Sequence, residues 1–380
     1  MKYRPLGRDN VPVSVLGYGC MRLPLIDNDY SRIDDEKAEM QLRYAIDHGI
    51  NYVDTAYGYH GGNSETFLAK ALGDGYREKV LLATKMPSWL IKEKADLERI
   101  LAEQLAKLNT DHIDFYLLHA LNKGYFDNYV RLDVFAFLET ARQAGKIRNI
   151  GFSFHDDHQV FAQIINAYQW DFCQIQLNYY DEEYQAGLKG MRLAADRGID
   201  VIVMEPLRGG SLALNPPEAV RDLWNAYPKK HTPAGWALRY LWDKPEVKVV
   251  LSGMNDLDHI KDNIAEASAA EAGMLSNQER ELITKVKQEY KSRIKVDCTN
   301  CKYCMPCPHG VNIPRNFAFY NDAHIFGDFP GSISAYQRFV DAEERAGMCQ
   351  ACGHCEPLCP QHISIIKQLT EVAAFFNPKQ

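Results

Sequence analysis

Several features are scarce in this 380-residue chain, and each scarcity excludes something. No stretch approaches the roughly 18 uninterrupted apolar residues of a membrane-spanning helix. The opening MKYRPLGRDNVPVSVLG has no apolar core of the kind a secretory signal needs. The expectation is a cytoplasmic protein with no membrane partner. Basic charge is short as well: 43 Lys and Arg stand against 50 Asp and Glu, a formal net charge of −7, and no Lys/Arg cluster breaks the pattern. That argues against a nucleic-acid partner. Cysteine is nearly absent from the first three quarters, where only Cys20 and Cys173 occur. The other eight of the ten lie between Cys298 and Cys359. In a chain without a secretory signal, such a cluster reads as metal ligands before it reads as a disulfide framework.

What is present is a rhythm. Short apolar runs, VSVLGYG (13–19), NYVDTA (51–56), VLLATK (80–85), IDFYLLH (113–119), IRNIGFS (147–153), FCQIQLN (172–178), DVIVMEP (200–206) and VKVVLSG (247–253), read as eight buried strands. Amphipathic segments such as DEKAEMQLRYAIDHG (35–49) and KADLERILAEQLAKLN (94–109) separate them with apolar residues at three- and four-residue steps. Strand then helix, repeated about eight times, predicts an α/β (β/α)8 TIM barrel. An open doubly wound sheet would carry a G-x-G-x-x-G turn after an early strand, and GYGCMR supplies only a lone G-x-G. From about Asn255 to Lys295 the chain reads as helical and charged, with Ser276 a plausible N-cap and Glu279 its capping-box partner. The expected division is a barrel over residues 1–292 and a second, small and mainly helical domain over 293–380.

Active sites of such barrels lie where strands end, so a polar residue closing an apolar run is informative. Asp54 follows NYV, Lys85 follows VLLAT, His119 follows IDFYLL, and Tyr59 lies on the loop after Asp54. Taken singly, an Asp after a strand is often a helix cap and a lone His a satisfied polar group. Taken together on successive strands they make coherent chemistry. A Tyr with pKa ~10 is a poor acid at neutral pH. A neighbouring ammonium lowers that pKa, a carboxylate holds the ammonium, and a His orients a substrate oxygen. Such a set suits protonation of a carbonyl oxygen.

Over residues 1 to about 270 the chain resembles the aldo/keto reductases. YRPLGRDNVPVSVLGYGCMRLP resembles the family's N-terminal hairpin and first strand, NYVDTAYGYHGGNSE its D-T-A-x-x-Y signature, and LLATKM and DFYLLH place Lys85 and His119 at typical spacings. The resemblance implies that Tyr59 donates a proton, that Lys85 and Asp54 tune it, and that His119 orients a small-molecule carbonyl substrate. It also implies NADP(H) or NAD(H) held by Gly19, Cys20, Met21, Asp54, Ser153, Gln174, Met204, Pro206, Leu207, Gly253, His259 and Asn263. Departures occur on this cofactor side. Phe154 stands where the family usually has Asn after the Ser. Met204 stands for an aromatic, and Gly253 and His259 for the Lys and Arg that read a 2′-phosphate. Cys20, beside the expected nicotinamide, reads as a packing residue.

The cysteine runs are CTNCKYCMPCP, with Cys298, Cys301, Cys304 and Cys307, and CQACGHCEPLCP, with Cys349, Cys352, Cys355 and Cys359. The second is the C-x2-C-x2-C-x3-C-P run of bacterial ferredoxins; the first differs by a two-residue final gap. Zinc and disulfides are the rivals, but zinc sites typically pair their ligands in two separated couples. Two [4Fe–4S] clusters are expected. Where two such runs occur, the fourth Cys of each serves the other cluster. This assigns Cys298, Cys301, Cys304 and Cys359 to one cluster and Cys349, Cys352, Cys355 and Cys307 to the other. The whole chain thus resembles the iron–sulfur branch of the aldo/keto reductases, with a ferredoxin-type domain after the barrel. A reductase that exchanges electrons with a redox partner protein is one reading. An electron-transfer or redox-sensing subunit, binding nicotinamide without fast turnover, is the other.

Overall fold

All eight of the expected strands form, and they close. The structure, a computed structural model, describes residues 1–377. A hairpin comes first, β1 (Tyr3–Leu6) antiparallel to β2 (Val11–Ser14). Eight parallel strands follow: β3 (Leu16–Gly19), β4 (Tyr52–Asp54), β5 (Leu81–Met86), β6 (Ile113–Leu121), β7 (Ile147–Phe154), β8 (Phe172–Gln176), β9 (Asp200–Met204) and β10 (Val247–Ser252). They pair in chain order, and β10 returns to β3 through Val250↔Leu16 and Ser252↔Tyr18. Strands buried on both faces explain why the runs read as continuous apolar sequence rather than alternation.

Packing inside the barrel explains several sequence choices. Phe115 meets Tyr52 and Phe172 edge-on, at ring separations of 5.4 and 5.2 Å. Gly17 points inward where a Cβ would come within 2.7 Å of Leu251 and 2.9 Å of Val249, so only glycine lets β3 and β10 close. The hairpin seals the base with Leu6 and Val13, both buried against that core. Its turn needs Gly7 at φ +74°, and the Gly7 and Arg8 amides donate to Asp200 Oδ2 and Asn149 Oδ1. The helices begin where side chains take up free amides: Asp34 caps Asp35–Asp47, Glu93 and Asp96 form a capping box on Lys94–Lys107, and Asp256 caps Leu257–Ser268.

The chain divides into two compact units, Met1–Gly209 with Ala234–Gln278, and Gly210–Pro233 with the described residues from Glu279 on. Helices dominate the second: Glu218–Ala226, Asn277–Ser292, Ile313–Phe326, Phe329–Phe339 and Ile365–Phe376. Its core gathers Val311, Phe317, Tyr336, Leu369 and Phe376 with Cys304 and Cys355. Tyr336 and Phe376 stack with ring centroids 3.9 Å apart. Among the described residues no helix is long and apolar enough to cross a membrane.

Candidate active site and cluster-binding cysteines

The C-terminal ends of the barrel strands bring the four expected catalytic residues into one group. Asp54 ends β4, Lys85 lies one residue from the end of β5, His119 lies near the end of β6, and Tyr59 sits on the loop after β4. Asp54 and Lys85 are almost wholly buried. The Lys85 ammonium donates to Asp54 Oδ2 and to the Thr55 carbonyl, each at 2.7 Å, and to the Tyr59 hydroxyl at 3.3 Å. These three contacts use all of its donors. The His119 ring stands edge-on to the Tyr59 ring at 6.1 Å. Its Nδ1 is buried with no hydrogen-bond partner among the described residues.

Electrostatics assign protonation states. Burial opposes a charge on Lys85, but the Asp54 carboxylate and the Tyr59 oxygen outweigh it and hold the ammonium above its ordinary pKa. Burial raises the pKa of Asp54, with Lys85 pulling it back. Tyr59 differs from the sequence expectation in its net direction. Burial raises its pKa more than Lys85 lowers it, so the phenol carries its proton at neutral pH. Lys85 therefore eases formation of a phenolate once the proton has left, rather than creating one beforehand. Burial, then Lys85 and His155, push His119 well below the usual histidine value, so its imidazole is neutral.

The residues expected at the nicotinamide line the same end of the barrel. Gly19 pairs in register with Asp54, and a Cβ on it would stand 3.4 Å from the Ser252 carbonyl oxygen. Ser153 and Gln174 are neighbours across β7 and β8. Ser153 Oγ accepts from the Ala120 amide, which leaves its own hydrogen to donate. Gln174 Nε2 reaches Met204 Sδ, while Gln174 Oε1 is buried with no hydrogen-bond partner among the described residues. Asn263 Oδ1 is similarly open, its Nδ2 being 3.3 Å from Ser252 Oγ. Open amide oxygens on Gln174 and Asn263 each suit an N–H donor from a ligand. Pro206 is buried and Leu207 half-buried on the loop after β9, while Met21, Gly253 and His259 are exposed. Asp256 takes the Asp258 amide, so the first turn of Leu257–Ser268 offers an anion fewer free donors than an uncapped one. Cys20 is fully buried and burial keeps its thiol protonated, which fits packing rather than nucleophilic chemistry.

Four neighbours escaped the sequence reading. Trp89, 43% exposed, lies 5.1 Å from the His119 ring and walls the mouth. Its only signal was its place four residues after Lys85. His60, at φ +54°, stacks on Tyr30 and has Nδ1 2.9 Å from the Tyr30 carbonyl. Its Nε2 accepts from the Leu23 amide, and the ring thus ties two points of the loop after β3 to the loop bearing Tyr59. His155 stands near enough to act on His119 electrostatically, and Arg22 follows Met21 on the first loop. A wide depression opens elsewhere, around Arg77, Asp114 and Arg148 at the strand starts. Its charges satisfy one another, with Arg77–Asp114 at 2.9 Å and Arg148–Asp114 at 2.8 Å, so it is structural.

In the second unit the eight cysteines fall into two sets. Cys298, Cys301, Cys304 and Cys359 line one small cavity with Ile313, Phe317 and Ile363. Cys307, Cys349, Cys352 and Cys355 line another with Ile313, Ile366 and Leu369. Each set borrows its fourth member from the other run, and each cavity has apolar walls. No group of three or more Cys, His, Asp or Glu among the described residues converges closely enough for a single ion. A four-iron cluster does not ask for that, because each thiolate binds a different iron and the sulfurs stand apart around a cube. The donor set, four thiols grouped around each apolar site, fits such a cluster.

With this geometry in place, the matches to known proteins are direct. Residues 15–288 match the aldo/keto reductase family, and residues 297–364 match the 4Fe-4S dicluster domain. The chain belongs to the aldo/keto reductase family, and it is an oxidoreductase that carries a 4Fe-4S ferredoxin-type domain. It is 27% identical over 298 residues to the uncharacterized oxidoreductase YqkF of Bacillus subtilis, covering 71% of this chain and 92% of that one. Identity to the NADH-specific methylglyoxal reductase of Escherichia coli is 30% over 233 residues, 56% of this chain and 69% of the relative. Among solved structures, aldo-keto reductase AKR11C1 of Bacillus halodurans superposes with a TM-score of 0.62 at 28% identity, over 75% of this chain and 96% of that one.

Proposed function

We propose that this chain is an NAD(P)H-dependent reductase of an aldehyde or ketone, and that the domain formed by residues 293–380 holds two [4Fe–4S] clusters while residues 1–292 form the reductase. The observation that carries the reading is the Lys85 ammonium fastened between Asp54 Oδ2 and the Tyr59 hydroxyl, with His119 alongside. A bound reduced nicotinamide would supply hydride chemistry at the carbonyl carbon. Tyr59 donates its proton to the carbonyl oxygen, Lys85 stabilises the phenolate that results, and Asp54 keeps Lys85 in place. Neutral His119 donates a hydrogen bond that orients the oxygen. Ser153 and Gln174 have the donor and the open acceptor that a carboxamide needs, and Gly19, Cys20, Met21, Met204, Pro206, Leu207, Gly253, His259 and Asn263 complete the cofactor's surround. The kinship with a methylglyoxal reductase supports a small carbonyl as substrate.

The grouping of cysteines around two cavities supports cross-ligation, with Cys298, Cys301, Cys304 and Cys359 on one cluster and Cys307, Cys349, Cys352 and Cys355 on the other. One ligand in each set, Cys301 and Cys352, is exposed, which favours exchange of electrons with a redox partner protein. The test is anaerobic: nicotinamide oxidation is followed with NADH and NADPH against a panel of aldehydes, ketones and enones. Turnover of a carbonyl supports the reductase. Tight nicotinamide binding with no turnover of any of them would instead select an electron-transfer or redox-sensing subunit.

A further inference from the structure

One buried carboxyl takes no part in the chemistry derived above. Glu65, in the first turn of the helix Ser64–Ala71, is fully buried. Its Oε1 accepts from the Thr84 hydroxyl and from Gln104 Nε2, each at 2.7 Å. Its Oε2 has no hydrogen-bond partner among the described residues. Burial raises its pKa, and the two charged groups that act on it from the helix Lys94–Lys107, Lys107 and Glu103, oppose each other. A carboxyl in such a place is costlier to bury than an apolar side chain of similar size. What it holds explains why it is there.

Glu65 and the residue before it reach both ends of Lys85. The Gln104 amide that Glu65 fixes also donates to the Lys85 carbonyl at 3.0 Å. Tyr116 donates to Gln104 Oε1 at 2.7 Å, which sets the amide's orientation and turns its two N–H groups toward Glu65 and Lys85, with Thr84 Oγ1 at 3.2 Å beside them. At the other end, the Lys85 ammonium rests on the Thr55 carbonyl at 2.7 Å, and the Thr55 hydroxyl meets Ser64 Oγ at 2.9 Å. Two consecutive residues of one helix thus hold the strand carbonyl from which Lys85 springs and the residue on which its head rests. Thr55, Ser64, Glu65, Thr84, Gln104 and Tyr116 are all fully buried, so water cannot replace a partner that is lost. The contact most sensitive to a retreat of Lys85 is the one to the Tyr59 hydroxyl, at 3.3 Å the longest of its three.

We infer that Glu65 is a positioning residue: through Gln104 and Thr84 it fixes the β5 backbone at Lys85, so that the ammonium reaches Tyr59. The inference rests on the proposed reductase reading and adds to it the group that places Lys85. A displacement of about 1 Å at a catalytic group can cost on the order of 10²-fold in rate. One net hydrogen bond corresponds to roughly tenfold.

The test uses anaerobically prepared, cluster-loaded protein, with methylglyoxal as the probe aldehyde and both NADH and NADPH. Stopped-flow nicotinamide oxidation reads the hydride step, and calorimetry reads dinucleotide affinity. Glu65→Met keeps the length of the side chain without its acceptor, and Gln104→Met removes the link to the Lys85 carbonyl. Each should slow the hydride step about tenfold or more while the dinucleotide Kd moves less than about twofold. Glu65→Gln, whose amide oxygen can take the place of Oε1, should stay within about threefold of the unsubstituted rate. The double variant should be within about twofold of the slower single, because both act through one contact. Melting curves set a temperature at which every variant is folded, and if Glu65→Met does not fold, Gln104→Met decides. An unchanged hydride step in the folded variants would make this network packing alone and overturn the inference. So would equal losses of rate and dinucleotide affinity, or a Glu65→Gln as slow as Glu65→Met. If the unsubstituted protein reduced neither methylglyoxal nor any other carbonyl of the panel, the reductase reading itself would fall and the inference with it.

Discussion

Removing one oxygen atom from Tyr59 isolates the barrel's chemistry from its architecture. In Tyr59→Phe the ring keeps its edge-on place beside His119 at 6.1 Å. What disappears is a hydroxyl whose hydrogen bond to Lys85 Nζ, at 3.3 Å, is the longest of the three that Lys85 makes. Lys85 retains Asp54 and the Thr55 carbonyl, so no buried charge loses its counterion, and the fold should lose no more than about 1 kcal/mol. The rate tells a different story. Burial keeps the Tyr59 phenol protonated at neutral pH, so it is the acid that is lost. His119, held neutral, is no substitute of comparable strength. General acids contribute about 10²–10⁴ in rate, or about 3–5 kcal/mol at 1.36 kcal/mol per tenfold. Stopped-flow nicotinamide oxidation at saturating aldehyde should therefore slow by at least about 100-fold, while the dinucleotide Kd moves less than about twofold. A hydride step within about threefold of the original would remove Tyr59 from the mechanism and refute the assignment of the proton.

His119 gives a pH prediction. Its pKa in the folded chain lies below the unfolded value of about 6.5, so across that window the unfolded chain binds the extra proton. The stability it contributes is complete above about pH 6.5 and is lost as pH falls, with a slope of up to about 1.36 kcal/mol per pH unit. Denaturant titrations at pH 7.5 and 5.5 should show the unsubstituted barrel weakening more than His119→Asn; equal losses would mean the imidazole is not held neutral. For the cysteines, Cys359→Ala should lower iron from about eight to about four per chain. Adding Cys301→Ala should then cost no further iron, whereas adding Cys352→Ala should remove the rest; the reverse pattern would refute the crossing of ligands.

The barrel was legible because burial on both faces leaves an unambiguous mark. Each apolar run from VSVLGYG to VKVVLSG holds a barrel strand, and Asp54, Lys85 and His119, which close three of them, gather at the C-terminal end of the barrel. The hairpin, too, matches its resemblance. Helix limits shifted by a residue or two at the C-terminal side, as at Asp47 and Lys107, where the last turn relaxes. Long-range relations did not show. Nothing local in Gly210–Pro233 says that it groups with the chain beyond Glu279. Periodicity reports which face of a segment is apolar, not which partner will cover it. His60 and Trp89 gave no signal either, because each acts through the loop opposite rather than through a spacing of its own. The direction of the Tyr59 shift depends on how deeply the ring is buried against how far away Lys85 sits, and both are distances between elements.

The stretch between the two cysteine runs shows how such relations are built. Helix Ile313–Phe326 carries two asparagines, five residues apart, that each hold the approach to one run. Asn321 Oδ1 accepts from the Lys295 and Val296 amides and its Nδ2 donates to the Val296 carbonyl, two residues before Cys298. Asn316, fully buried, accepts from the Ala346 amide and the Tyr336 hydroxyl and donates to the Asn312 and Glu344 carbonyls, just before Cys349. An amide side chain offers both donors and an acceptor, so each can satisfy irregular backbone that no helix or sheet would pair. Such backbone must be fixed if cysteines are to meet a rigid cube, since a buried loop with unpaired amides is costly. Ile313, at the start of the same helix, lines both cavities. One helix thus sets the entry to both runs and a wall of both cavities, and a crossed set of ligands can form only if the two runs are held in register in this way.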